Sequence, residues 1–245
     1  MNLILIGLVT GVLTGLTGAS GMSVLISALL LIGMDVHDVV GLTFTVTLAN
    51  ALGAMGPYIR RNQWDKRLVL AVGLPAVAGV FVGNAAGHSV PSQGLTAVMS
   101  VALLAVGLRF LLQKKKAEGS APFPAVRGGL PALIAMGMLI GVVMGIMGGG
   151  GSIFITLALV LAFRYPLRVA LGSSIMIMAI AAVPGILLNL QQAHLDLSHA
   201  AQLVIPGGIA ALLASRVANR IAELTVYRIL GVYLVVVSIV LLVRL

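Results

Sequence analysis

The residues of this chain best placed to do chemistry are two glycine clusters, Gly18-Ala19-Ser20-Gly21 and Gly148-Gly149-Gly150-Gly151, the second followed by Ser152. Each interrupts an apolar segment of about thirty residues, 3–33 and 130–163. A helix restarting after such a break, at Met22 or Ser152, presents N–H groups without partners in the helix and the positive end of its dipole. Glycine lets a ligand come close to that backbone and adopts positive φ without strain. The chemistry expected is anion binding by backbone amides. Neither cluster carries Lys or Arg, so recognition would come from helix ends and nearby hydroxyls rather than an arginine clamp.

Polar side chains follow in matching places. Thr43, Thr45, Thr47 and Asn50 lie in the span after the first cluster, and Ser173 and Ser174 in the span after the second. They are expected to line a path and donate to an oxyanion; the competing reading is that they bond back to their own helix. Asn50 and Asn189 are costlier to bury and rank higher. Gly7, Gly11 and Gly15, with Gly137, Gly141 and Gly145, recur every four residues and read as helix-packing ladders.

Other chemistries find little support. Gly18-Ala19-Ser20-Gly21 has the G-x-S-G pattern of rhomboid intramembrane serine proteases, which need a histidine base within reach of the serine. The second copy has Gly150 in place of Ser20, and no histidine lies deep in a span, so an enzyme is the distant reading and no catalytic residue is assigned. The six acidic residues fall in loops or at span ends, which leaves no mid-membrane proton relay. An anion leaving a negative interior needs none, since 100 mV supplies about 2.3 kcal/mol per charge. With no cysteine, no H-E-x-x-H, and His37, His88, His194 and His199 near span ends, neither a metal nor a cofactor is expected.

The elements that must position these residues come as a duplication. Gly7, Gly11, Gly15, Gly18 and Gly21 return 130 residues later as Gly137, Gly141, Gly145, Gly148 and Gly151. Gly41, Asp65 and Pro75 match Gly172, Asp196 and Pro206 at a spacing of 131. The chain divides into an N-terminal repeat (1–112), a basic linker (113–128) and a C-terminal repeat (129–245). A composition 60% hydrophobic and 9% charged requires lipid as the solvent for much of the surface. Six apolar runs read as ordinary spans, about 39–58, 68–87, 94–112, 168–189, 199–215 and 225–243. The two Gly-interrupted segments are either overlong crossings or hairpins of short helices; an arm such as 3–17 is only about 22 Å long. No cationic region precedes residues 3–17, so a cleaved signal peptide is not expected.

Charge separates the alternatives. Single crossings would put ten of the fifteen Lys and Arg on one side. Hairpins would put fourteen there and leave only Arg244 opposite. The positive-inside rule favours hairpins, hence an all-α integral membrane protein of two inverted repeats. Each repeat is a Gly-tipped re-entrant hairpin plus three spans, with both termini outside and the linker in the cytoplasm. The two tips are then expected near the midplane, facing each other. The net charge of +9 serves this orientation, so no nucleic-acid partner is implied, and oligomeric state is left open. Glycine-interrupted segments at matching positions of two halves point to a transporter with its substrate at the breaks.

The sequence resembles the sulfite exporter TauE/SafE family, also described as toluene sulfonate uptake permeases, over essentially all 245 residues. The carriers are the duplicated hairpin, clearest in Gly145-Ile146-Met147-Gly148-Gly149-Gly150-Gly151-Ser152, and the turn Arg61-Asn62-Gln63-Trp64-Asp65, repeated as Gln192-Ala193-His194-Leu195-Asp196. The first tip departs from the family in Ala19 and Ser20, and both copies lack the proline common after the glycines, with Ser27 and Thr156 in that vicinity. The resemblance implies export of small sulfur-containing oxyanions, sulfite or organosulfonates, across the cytoplasmic membrane. A carboxylate or other small organic anion is the alternative cargo.

Overall fold

A computed structural model describes residues 3–18, 21–31, 33–34, 36–87, 104–105, 107–108, 111–112, 129–149, 151–190, 197–218 and 220–243. Ala19, Ser20, Gly150, the linker, the second turn at 192–196 and most of the run 94–112 lie outside them. Every regular element among the described residues is helical. They are α1 (Leu3–Thr17), α2 (Met22–Leu31), α3 (Val36–Arg60), α4 (Lys66–Gly87), α5 (Gly129–Met147), α6 (Ser152–Leu157) with a π-helical turn (Ala158–Ala162), α7 (Leu167–Leu190), α8 (Leu197–Ala218) and α9 (Glu223–Val243).

Local chemistry sets the ends. α1 stops at Gly18, whose φ of 63° suits glycine and whose N–H donates to Thr14 O at 2.9 Å. α5 stops at Gly148 (φ 80°) and Gly149 (φ 109°), where the Gly149 N–H reaches back to Met144 O at 2.8 Å, the six-to-one closure of a Schellman cap. α4 starts at Asp65, whose Oδ1 accepts from the N–H groups of Arg67 (2.8 Å) and Leu68 (3.4 Å). In α1 the hydroxyls of Thr10, Thr14 and Thr17 donate to Gly7 O, Thr10 O and Leu13 O, so no polar group there depends on lipid.

The glycine ladders bring backbones together. Gly7, Gly11 and Gly15 of α1 lie on the carbonyls of Leu203, Gly207 and Ala211 of α8, so these helices run parallel. Gly137, Gly141 and Gly145 of α5 lie in the same way on Val72, Ala76 and Val80 of α4. Each partner on α4 is the residue 131 before its counterpart on α8. α3 and α7 cross in opposite directions, with Phe44 against Gly185 and Tyr58 beside Gly172. α2 folds back along α1: Gly21 sits on Thr10, and Leu25 and Leu29 cluster with Leu3 and Ile6 and with Val39, Leu42 and Val46 of α3.

Among the described residues, five helices are long and apolar enough to cross a membrane: Asp38–Arg60, Lys66–Ala86, Gly129–Ile146, Leu167–Asn189 and His199–Ala218. Ile205, Ile209, Leu213 and Val217 form an exposed apolar stripe down α8, as a lipid-facing surface requires. The chain is an integral membrane protein. One expectation is adjusted. α1, with 15 residues, is short of the roughly 30 Å core, but α5 has 19 residues and extends about 28 Å, so the arms of the two broken segments differ in reach.

Candidate functional site

α7 holds the first break and α3 the second. Gly18 packs on Leu171 of α7, and Gly148 packs on Val40 of α3, residues 131 apart in the duplication. A β-carbon on Gly149 would lie 3.6 Å from Thr47 Oγ1 and 3.7 Å from Phe44 and Thr43. Behind the second tip Gly151 abuts Met144 and Ile140, just as Gly21 abuts Thr10.

The breaks stand at two levels rather than opposite each other. Gly18 touches Leu171, and the next residue, Gly172, packs on Tyr58 and on the Gln63 carbonyl, whereas Gly149 lies by Thr43–Thr47. From Thr47 to Tyr58 is eleven residues, roughly 16 Å along α3. Each tip thus packs beyond the middle of α3, one toward its C-terminal end and the other toward its N-terminal end.

The hydroxyls divide. Thr43 Oγ1 donates to Val39 O at 2.5 Å and Thr45 Oγ1 to Gly41 O at 3.0 Å, bonds back to their own helix. Thr156 Oγ1 donates to Ser174 Oγ at 2.8 Å, and Ser174 Oγ to Leu171 O at 2.9 Å, which ties α6 to α7. Ser173 Oγ accepts from the Asp65 N–H at 3.1 Å and anchors the α3–α4 turn. Ser152 is fully buried. Thr47 is different: buried beside Gly149, its hydroxyl makes no hydrogen bond among the described residues.

The two asparagines also diverge. Asn189 Nδ2 donates to Gly185 O at 2.8 Å, so it is satisfied within α7. Asn50, 2% exposed, points its Oδ1 at the Cα of Gly207 and finds no donor. Thr43, Thr47 and Asn50 are spaced i, i+4, i+7 and share one face of α3.

Sequence reasoning passed over three residues near the breaks. Phe44 is fully buried between Gly149 and Gly185; its neighbours Thr43 and Thr45 drew the attention. Tyr58 is buried with its hydroxyl 3.5 Å from Gly15 O, at the base of the first tip. Gln63 enters the same region with a buried Oε1 that has no donor, and its polar turn was the available signal. Beside that turn, burial and then the Asp65 carboxylate push the Tyr165 phenol above its ordinary value. No group of three or more His, Cys, Asp or Glu that could hold a metal occurs among the described residues.

An all-helical, lipid-facing body with broken helices packed inside it defines a membrane transporter class. The family described as sulfite exporter TauE/SafE matches residues 3–241, and the chain belongs to that family. It is similar to a "Probable membrane transporter protein" of Xylella fastidiosa strain 9a5c, 28% identical over 220 residues, 86% of this chain and 83% of that protein. It is also similar to the "Probable membrane transporter protein YdhB" of Bacillus subtilis strain 168, 26% identical over 192 residues, 76% of each. No solved structure matches it significantly.

Proposed function

We propose that this family member exports small sulfur-containing oxyanions, of the sulfite or organosulfonate class, across the cytoplasmic membrane. The anion passes the two glycine breaks in turn. Its contacts come from the first break (Gly18, Ala19, Ser20, Gly21), the second (Gly148, Gly149, Gly150, Gly151, Ser152) and the polar residues Thr43, Thr47, Asn50, Ser173 and Ser174. Two contributions are narrower than these residue types suggest. The Gly149 N–H already caps α5, which leaves the amides that start α6 as donors, and Ser173 and Ser174 act through hydroxyls already engaged in packing. The observation that carries the reading is Thr47, a buried residue whose hydroxyl makes no hydrogen bond among the described residues, beside a glycine held at φ 109°.

The architecture we infer is two inverted repeats, 1–112 and 129–245, joined by a cytoplasmic linker, 113–128. Three contacts support it: α1 lies on α8 as α5 lies on α4, α3 opposes its repeat mate α7, and α2 returns along α1. With fourteen basic residues on one face, both termini lie outside. The test is a thermal-shift screen of the purified protein against sulfite, thiosulfate, sulfoacetate, taurine, sulfate and simple carboxylates. Stabilisation by sulfur oxyanions is expected. Stabilisation by carboxylates alone would move the cargo to organic acids.

A further inference from the structure

We propose that the turn between α3 and α4, residues 61–65, is the cytoplasmic gate of the first break. It closes the path by resting on α7 and lifts off to admit cargo. The inference rests on the transport reading and names a moving part for it. The first tip packs toward the end of α3 from which this turn springs. Gly18 lies on Leu171; at the next residue, Gly172, the Gln63 carbonyl stands so close that a β-carbon would overlap it. Tyr58 flanks Gly172 as well, with its hydroxyl 3.5 Å from Gly15 O. Tyr58 and the turn therefore stand between the break and the helix ends that carry Arg60, Arg61, Lys66, Arg67, Arg164 and Arg168, the cytoplasmic face by charge.

The turn holds its own shape. Asn62, at φ 54°, donates its N–H to Ile59 O at 3.0 Å, and the Gln63 N–H donates to Tyr58 O at 3.0 Å. Asp65 Oδ1 caps α4 through the N–H groups of Arg67 and Leu68. A segment bonded within itself can move as a unit, with the change absorbed at the helix ends beside it.

Its seat on the other repeat is less complete. The Asp65 N–H donates to Ser173 Oγ at 3.1 Å, and the Gln63 carbonyl meets a glycine with no side chain to lock it. The buried Gln63 Oε1 has no donor among the described residues. An acceptor left bare when the turn is down regains water when it lifts, which offsets the loss of the Asp65 bond. The two positions then differ little in free energy, as a gate requires. The turn belongs to one repeat and α7 to the other, so motion of one repeat against the other would open this contact. The duplication supplies the same aspartate and glycine again as Asp196 and Gly41, the pair that alternating access would use at the opposite face.

The test uses the full, naturally cysteine-free chain carrying Asp65→Cys and Ser173→Cys, positions whose 3.1 Å contact brings them within reach of a disulfide. Sulfoacetate efflux from proteoliposomes is followed before oxidation, after it, and after reduction; sulfite is avoided because it cleaves disulfides. The expected result is loss of flux on oxidation and its return on reduction, with each single-cysteine protein indifferent to the oxidant. A fully disulfide-linked protein that moves sulfoacetate as fast as its reduced form overturns the gate and leaves the transport reading standing. Absence of sulfoacetate flux from the wild-type chain overturns both. A second measurement decides if the double variant fails to fold, to transport or to close its disulfide. It is the rate at which Gln63→Cys reacts with an impermeant maleimide from the cytoplasmic side. Saturating sulfoacetate should slow that reaction, because cargo loaded at the first break lets the turn close, and should leave Lys66→Cys unaffected. An unchanged or faster rate at Gln63→Cys overturns the gate.

Discussion

Gly141→Ala probes the ladder that joins α5 to α4, with Gly56→Ala as its control. Both are helical glycines, so alanine brings each the same propensity gain of about 1 kcal/mol. At Gly56 the new β-carbon meets nothing within 4 Å. At Gly141 it would lie 2.8 Å from both the carbonyl carbon and the Cα of Ala76. Carbon atoms rest at about 3.5–4.0 Å, so the helices must part by roughly 0.7 Å or more at that level. Overpacking of this kind costs about 1–3 kcal/mol, and the ladder repeats the contact at Gly137 and Gly145. Because the propensity gain cancels, Gly141→Ala should be less stable than Gly56→Ala by about that amount. In a chain of this size the difference is roughly 2–4 °C in Tm per kcal/mol. Thermal unfolding in one detergent, followed through the single tryptophan, Trp64, measures it. Affinity for the anion should be alike in the two variants. A Gly141→Ala protein that unfolds at or above the temperature of Gly56→Ala would refute backbone contact as the bond between α4 and α5.

Three further outcomes follow from the same geometry. Thr47→Val should weaken anion binding by about 1 kcal/mol, whereas Thr43→Val, whose hydroxyl serves Val39 O, should change stability more than affinity; ligand titration of both variants decides. A cysteine at Lys115, on this cysteine-free background, should react with impermeant reagents only from the cytoplasmic side, and labelling from outside alone would sink the inverted arrangement. Tyr165 should titrate above an ordinary tyrosine, because burial and then Asp65 disfavour the phenolate. A raised folded value means its stabilising contribution is whole below about pH 10 and is lost as pH rises through the folded value; an alkaline unfolding series on Tyr165→Phe checks this.

The duplication and the helix breaks were legible because the glycines recur at a fixed spacing of 130 residues and interrupt apolar runs. Gly148 and Gly149 do sit at positive φ, and the Gly7 and Gly137 ladders do carry helix contacts. The partners of those ladders were not legible. Leu203, Gly207 and Ala211 read like any small apolar residues, and only the fold shows that α1 crosses to the other half of the chain. The role of each hydroxyl was equally hidden. Thr43 and Thr47 have the same side chain on the same face, yet one bonds to its own helix and the other meets a glycine from a distant segment. The packing partners of the tips, Leu171 for Gly18 and Val40 for Gly148, were not legible either, because both are apolar residues of distant segments.

The central claim is that sulfur oxyanions pass the glycine breaks. Its most direct test is sulfite efflux from proteoliposomes, comparing the wild-type chain with Gly149→Val, after gel filtration shows both folded. Gly149 holds a φ of 109°, and a branched side chain there would be strained and would crowd Thr47 and Phe44. The account predicts saturable sulfite efflux from wild type, reduced by competing sulfonates and abolished in Gly149→Val. A folded Gly149→Val protein that moves sulfite at the wild-type rate would contradict it.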